Sequence, residues 1–110
     1  MKLSAKQTVD VLRAAGEPTR LRILALLERE ELAVLEICRV LDQSQPRVSR
    51  HLKLLAEAGL VERFPDGAWV FYRLSGAGRQ RDVIGEVLAH VNADDPGLAR
   101  DRRKLDDVQA

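Results

Sequence analysis

Apolar residues recur at helical spacing through most of the chain, and breaks in that spacing mark where the structure changes. Ala5–Ala15 carries Val9, Leu12 and Ala14–Ala15 as an apolar side and ends at Gly16, which predicts a first helix. Glu17, Pro18 and Thr19 restart the chain, and proline fits the opening of a second helix that runs to about Arg29. Leu21, Ile23, Leu24, Leu26 and Leu27 make that helix apolar over most of its circumference, as befits the central helix of a core. Arg20 and Arg22, at its start, are expected to be solvated or paired with Glu17 or Glu28. Leu32–Val34 reads as a minimal strand. Leu35–Leu41 reads as a third helix with Ile37, Val40 and Leu41 inward, and Asp42–Gln43 as a tight polar turn.

The segment beginning at Ser44 has two faces. With Val48 at zero and about 100° per residue, Leu52, Leu55 and Ala56 fall within about 80° of it. Arg47, Arg50 and Lys53 gather on the other side, and there is no acid from Ser44 through Ala56. Ser44 can cap the first turn, and Pro46 is tolerated where helix N–H groups lack partners. Such a cationic, hydroxyl-bearing face fits a DNA major groove, and it equally fits a solvated surface. Two short helices joined by a brief turn match helix-turn-helix geometry, with the second as reader.

The helix is expected to stop at Gly59. Leu60–Phe64 and Ala68–Leu74 read as strands around a Pro65-Asp66-Gly67 turn, a two-stranded β-wing whose tip, from Arg63 to Gly67, can lie along a sugar-phosphate backbone. From Arg79 to about Val91, Val83, Ile84, Val87, Leu88 and Val91 form a stripe along one helix face. The preceding elements already supply a core, so the stripe is expected to meet a second copy of the chain. Asn92–Pro96 breaks the helix. The mixed-charge segment 94–110 is expected to be a short amphipathic helix or a frayed tail beyond a 1–93 DNA-binding and dimerisation domain.

Composition narrows the classes. The 110 residues suit one domain, with 45 % hydrophobic and 32 % charged residues. Net charge is only +1, so a nucleic-acid partner must be met by a local basic patch. The single cysteine, Cys38, excludes an intrachain disulfide and a multi-cysteine zinc site. Without a membrane-length apolar run or a signal-peptide core, a cytoplasmic address is the default expectation. No nucleophile, base and orienter assemble, and no cofactor motif is present, so neither an enzyme nor a cofactor is expected.

Several motifs act together: Glu17-Pro-Thr-Arg-Leu-Arg-Ile-Leu, Glu31-Leu-x-Val, Ser44-Gln-Pro-x-Val-Ser-Arg-His-Leu-x-x-Leu, Ala58-Gly-Leu-Val and Gly67-x-Trp-Val-x-Tyr-Arg-Leu. In this order, over roughly residues 5–91, the chain resembles the ArsR/SmtB family of bacterial winged-helix repressors. The resemblance implies a mainly α winged helix-turn-helix fold and a homodimer through the first and last helices. Val9 and Leu12 would then join Val83, Ile84, Val87, Leu88 and Val91 in the interface. It also implies repression of a promoter until a small effector, here unidentified, intervenes. Arsenic sensors of the family carry a Cys-x-Cys pair and a third cysteine where this chain has Ala33, Leu35 and Cys38. Zinc sensors use Asp and His pairs on the last helix. Here Asp82 and His90 are present, but Ile84 stands where the first histidine is expected. No metal site is therefore expected. Cys38 is read as a small buried hydrophobe, with a redox-sensitive thiol as the other reading.

On this reading double-stranded DNA and a second copy of the chain are the partners. Gln45 and Arg47 are the candidates for base edges, because amide and guanidinium forks match adenine and guanine. Ser44 faces the groove with them. Ser49, Arg50 and Lys53 are expected to anchor on phosphates, His51 to make a DNA or packing contact, and Arg63 and Arg73 to add wing contacts. Two alternatives stay open. Asp94-Asp-Pro-x-Leu-Ala-x-Asp resembles the linker to a methyltransferase domain in some fusions, and a winged helix can also serve protein partners alone.

Overall fold

A computed structural model describes residues 2–110. The elements are α1 (Ala5–Ala15), α2 (Pro18–Arg29), β1 (Leu32–Ala33), α3 (Val34–Leu41), α4 (Gln45–Glu57), β2 (Val61–Asp66), β3 (Trp69–Leu74), α5 (Arg79–Ala89) and α6 (Pro96–Gln109). α2 is the central helix: Ile23, Leu24, Leu26 and Leu27 are all buried, and α1, α4, α6 and β3 pack around it. None of the described helices is long and apolar enough to cross a membrane.

Local chemistry explains most of the boundaries. Ser4 and Gln7 form a reciprocal capping box at the start of α1, with bonds of 3.0 and 2.8 Å. Gly16 ends the helix through a close approach rather than a left-handed turn. Its φ is −83°, and a Cβ there would lie 2.7 Å from the Leu12 carbonyl oxygen. Glu36 reaches back to the Ala33 N–H (2.9 Å) at the start of α3. α4 ends in a Schellman motif: Gly59 takes φ +79°, its N–H bonds Ala56 O and the Leu60 N–H bonds Leu55 O, each at 3.0 Å. Leu60 is thereby buried beside Leu55, and the chain is aimed into the wing.

The wing departs from the sequence reading at two points. Pro65 and Asp66 remain in β2, opposite Val70 and Trp69, so the turn is the pair Gly67–Ala68. Gly67 has φ +63° and Ala68 is not among the positive-φ residues, a II′-type arrangement that suits the strand twist. The sheet also has three strands, in the order β1-β3-β2, because Leu32 and Ala33 pair with Tyr72 and Phe71. Ser75 ties down its base, with Oγ donating to Gly59 O (2.7 Å) and N–H to Leu60 O (3.0 Å).

Two helical expectations need correction, and a third that had two readings is resolved. Ala56, at the margin of the apolar arc, is exposed. Ile84 and Leu88 are only 1 % and 8 % exposed within this single chain, so they complete its own core rather than standing open for a second copy. Val83, Val87 and Val91 stay half-buried. Finally, of the two readings of the last segment, the structure has a helix. Asp95 caps α6 through Gly97 and Leu98 N–H groups, Leu105 is 2 % exposed, and α6 packs against α2 and α3. Arg22 pairs not with Glu28 but with Asp101 of α6, in a two-pronged bridge of 2.8 and 2.9 Å.

Candidate nucleic-acid interface

The link from α3 to α4 is three residues long. Asp42 takes the left-handed conformation (φ 54°, ψ 48°), which a short polar side chain tolerates, and so reverses the chain without glycine. Ser44 caps α4, accepting the Arg47 N–H at 3.4 Å, and Pro46 occupies the first turn. Val48, Leu52 and Leu55 are fully buried, which pins one face of α4 to the core. Ser44, Gln45, Arg47, Arg50 and Lys53 are exposed on the remainder, and Ser49 is half-buried. Among the described residues no carboxylate lies within ion-pair distance of the Arg47, Arg50 or Lys53 side chains. Three cations thus lie on one helix face unneutralised by the fold.

His51 is oriented otherwise. Its side chain is 16 % exposed, and Nδ1 lies 3.2 Å from Arg20 Nη1 and 3.7 Å from Glu17 Oε2. Arginine has no acceptor, so Nδ1 must accept, and the ring is neutral with its proton on Nε2. Burial pushes the imidazole pKa below its ordinary value. Glu17 opposes the shift, and Arg20, Arg47 and Arg50 add to it. Within the chain, His51 packs against Arg20 and Glu17. Burial disfavours the Glu17 carboxylate, yet the Arg20 and Thr19 N–H groups and the positive charge of Arg20 outweigh this and hold its pKa below the ordinary value.

In the wing, Arg63 is exposed, with no ion-pair partner among the described residues. Arg73, expected at a phosphate, is instead engaged within the sheet. It bonds Glu62 at 3.1 Å, lies 3.8 Å from Glu31, and sits 4.6 Å above the Phe64 ring, itself stacked on Phe71. The cross-strand pairing of Glu62 with Arg73 brings these charges together, so Arg73 stiffens the wing. At the wing tip Trp69 is 55 % exposed.

The family's metal positions do not fit a metal here. Ala33 and Leu35 offer no donor, Ile84 is in the core, and burial raises the half-buried Cys38 thiol above its ordinary pKa. Among the described residues no group of three or more His, Cys, Asp or Glu is placed to hold an ion.

A capped second helix following a left-handed turn, with an antiparallel wing behind it, defines a winged helix-turn-helix domain. Residues 17–63 match the model of the family described as "Bacterial regulatory protein, arsR family". The chain is 33 % identical over 102 residues to the HTH-type transcriptional regulator KmtR of Mycobacterium tuberculosis, covering 93 % of this chain and 78 % of that one. It belongs to the arsR family. The arsenical resistance operon repressor of Escherichia coli is 48 % identical over 68 residues, 61 % of this chain. The chain spans 58 % of that relative's length. In structure it is similar to the homodimeric winged helix-turn-helix DNA-binding domain Mb0332 of Mycobacterium bovis, with a TM-score of 0.69 and 31 % identity, covering 76 % of this chain and 77 % of that one.

Proposed function

We propose that this protein is a DNA-binding transcriptional repressor that acts in the cytoplasm as a homodimer on an inverted-repeat operator. The observation that carries this reading is the exposed, unneutralised face of Arg47, Arg50 and Lys53 on a helix whose opposite face is wholly buried. Gln45 and Arg47, in the first turn, reach base edges. Ser44, Ser49, Arg50, Lys53 and Arg63 of the wing hold phosphates and fix the register. Val9 and Leu12, 44 % and 54 % exposed on α1, face the second copy with Val83, Val87 and Val91 of the α5 region. That a similar solved domain is homodimeric supports a dimer.

The test is selection from a randomised duplex pool, followed by fluorescence anisotropy on the selected sequence at several salt concentrations. The expected product is a two-fold symmetric site with half-sites about one helical turn apart or a multiple of it. Specific binding should exceed non-specific binding by about 10³ or more. No enrichment, with no sequence-dependent binding at low salt, would overturn the reading and favour a winged helix that serves protein partners. Release is proposed to need an effector other than a bound metal ion.

A further inference from the structure

We infer that Arg20 is a positioning residue that fixes the reader helix against the dimer helix and thereby selects operator half-site spacing. The inference rests on the DNA-binding reading above. Two elements, α1 and α4, converge on this one guanidinium of α2. Its Nε donates to Ala14 O and its Nη2 to Arg13 O (3.3 Å), both in the last turn of α1. These are carbonyls that the end of a helix leaves without intrahelical donors, at the negative pole of its dipole. Its Nη1 meets His51 Nδ1, midway along α4, at 3.2 Å. Glu17 braces the pair, accepting the Arg20 N–H at 2.9 Å and standing 3.7 Å from the same ring nitrogen.

A second polar link lies where α4 begins. Gln43 Nε2, in the turn before α4, donates to Thr19 Oγ1 at 3.1 Å. Thr19 is buried, and Gln43 Oε1 is shielded from solvent with no hydrogen-bond partner among the described residues. Burying an acceptor unpaired costs stability, so apolar packing alone gives no reason for an amide there. The first turn of α2 therefore holds α4 before its start and at its middle, and holds the end of α1 through the same arginine.

The distinction between this hub and the core beneath it is directional. Val48, Leu52 and Leu55 bury apolar area, which resists separation of α4 from the core but is weak against small rotations. A planar guanidinium with three aimed donors resists rotation. α1 carries the exposed Val9 and Leu12 and so follows the two-fold axis of the dimer, while α4 follows the groove. Adding one base pair between half-sites moves the grooves apart by about 3.4 Å and rotates them by roughly 35°. Only a stiff α1–α4 connection converts that displacement into a loss of affinity.

The experiment uses the selected operator and versions with one base pair added or removed between half-sites, bound to full-length wild type, Arg20→Gln, His51→Leu and His51→Asn. Asparagine keeps an acceptor near the Nδ1 position and leucine removes it. Wild type is expected to lose about tenfold or more in affinity on either altered spacing, the scale of a mismatched site. Arg20→Gln and His51→Leu should lose less than about threefold, with His51→Asn close to wild type. Affinity of Arg20→Gln for an isolated half-site should stay within about twofold of wild type, since the reading face is untouched. Undiminished spacing discrimination in both Arg20→Gln and His51→Leu overturns the inference. Should Arg20→Gln fail to fold by circular dichroism, the contrast between the two His51 variants decides it in the same way. Failure of wild type to bind any operator overturns the DNA-binding reading itself.

Discussion

Asp101→Ala tests how α6 is held. Asp101 is 3 % exposed at its side chain and Arg22 25 %, and two short bonds join them across α2 and α6. Removing a partner from a buried ion pair commonly costs about 3–5 kcal/mol. Arg22 keeps a quarter of its surface in water and can be partly rehydrated, so about 2–3 kcal/mol is the expected loss here. A limit applies: if α6 leaves its seat, the loss stops at the free energy of docking. That docking is dominated by Leu105, 2 % exposed and contributing about 1.5–3 kcal/mol. The assay is urea unfolding followed by circular dichroism, at one fixed protomer concentration because association would add to apparent stability. With a slope of about 1–2 kcal/mol/M for a domain of this size, the midpoint should fall by more than about 1 M. Undocking would show as a lower slope as well, because less surface is left to expose. A cycle with Arg22→Met and Asp101→Leu should return a coupling of at least about 1.5 kcal/mol, and the double variant should recover much of the loss. A coupling below about 0.5 kcal/mol refutes the claim that this bridge holds α6.

Four further outcomes follow from named side chains. Arg50→Ala should flatten the salt dependence of operator binding by about one unit per subunit if Arg50 meets a phosphate, and an unchanged slope removes it from the backbone set. Leu12→Glu should leave a folded monomer in sedimentation, and an intact dimer would rule α1 out of the interface. The depressed His51 pKa means that the unfolded chain binds more protons below about pH 6.5, so this contribution is complete above that pH and lost as pH falls through the folded-state value. Urea midpoints from pH 7 to pH 5 should therefore fall more steeply for wild type than for His51→Asn, and equal slopes contradict the neutral, inward ring. Cys38, half-buried with its thiol pKa raised by desolvation, should react with iodoacetamide at pH 8 more slowly than glutathione does, and faster once unfolded. Rapid alkylation of the folded protein would reopen the redox reading of this thiol.

Short-range physics made much of the molecule legible from the chain alone. Helical periodicity placed α2 at the centre and gave α4 a buried face of Val48, Leu52 and Leu55. Capping by Ser44 and the left-handed Gly59 set the ends of α4. Each of these depends on residues within a few positions of one another, and the same holds for the outward Arg47, Arg50 and Lys53. Tertiary structure alone decided the rest, because an amphipathic stripe states that it must be covered without stating by what. Ile84 and Leu88 are covered by their own chain. Asp101 is met by Arg22, 79 residues away. Arg73 is drawn off by Glu62 and Glu31 once the strands align, and the turn shifts to Gly67–Ala68 because strand pairing extends through Pro65 and Asp66. His51 lay on the border of the two faces, where periodicity is silent. Its direction was settled by the acceptor that Arg20 required, a partner 31 residues distant that no local pattern could identify.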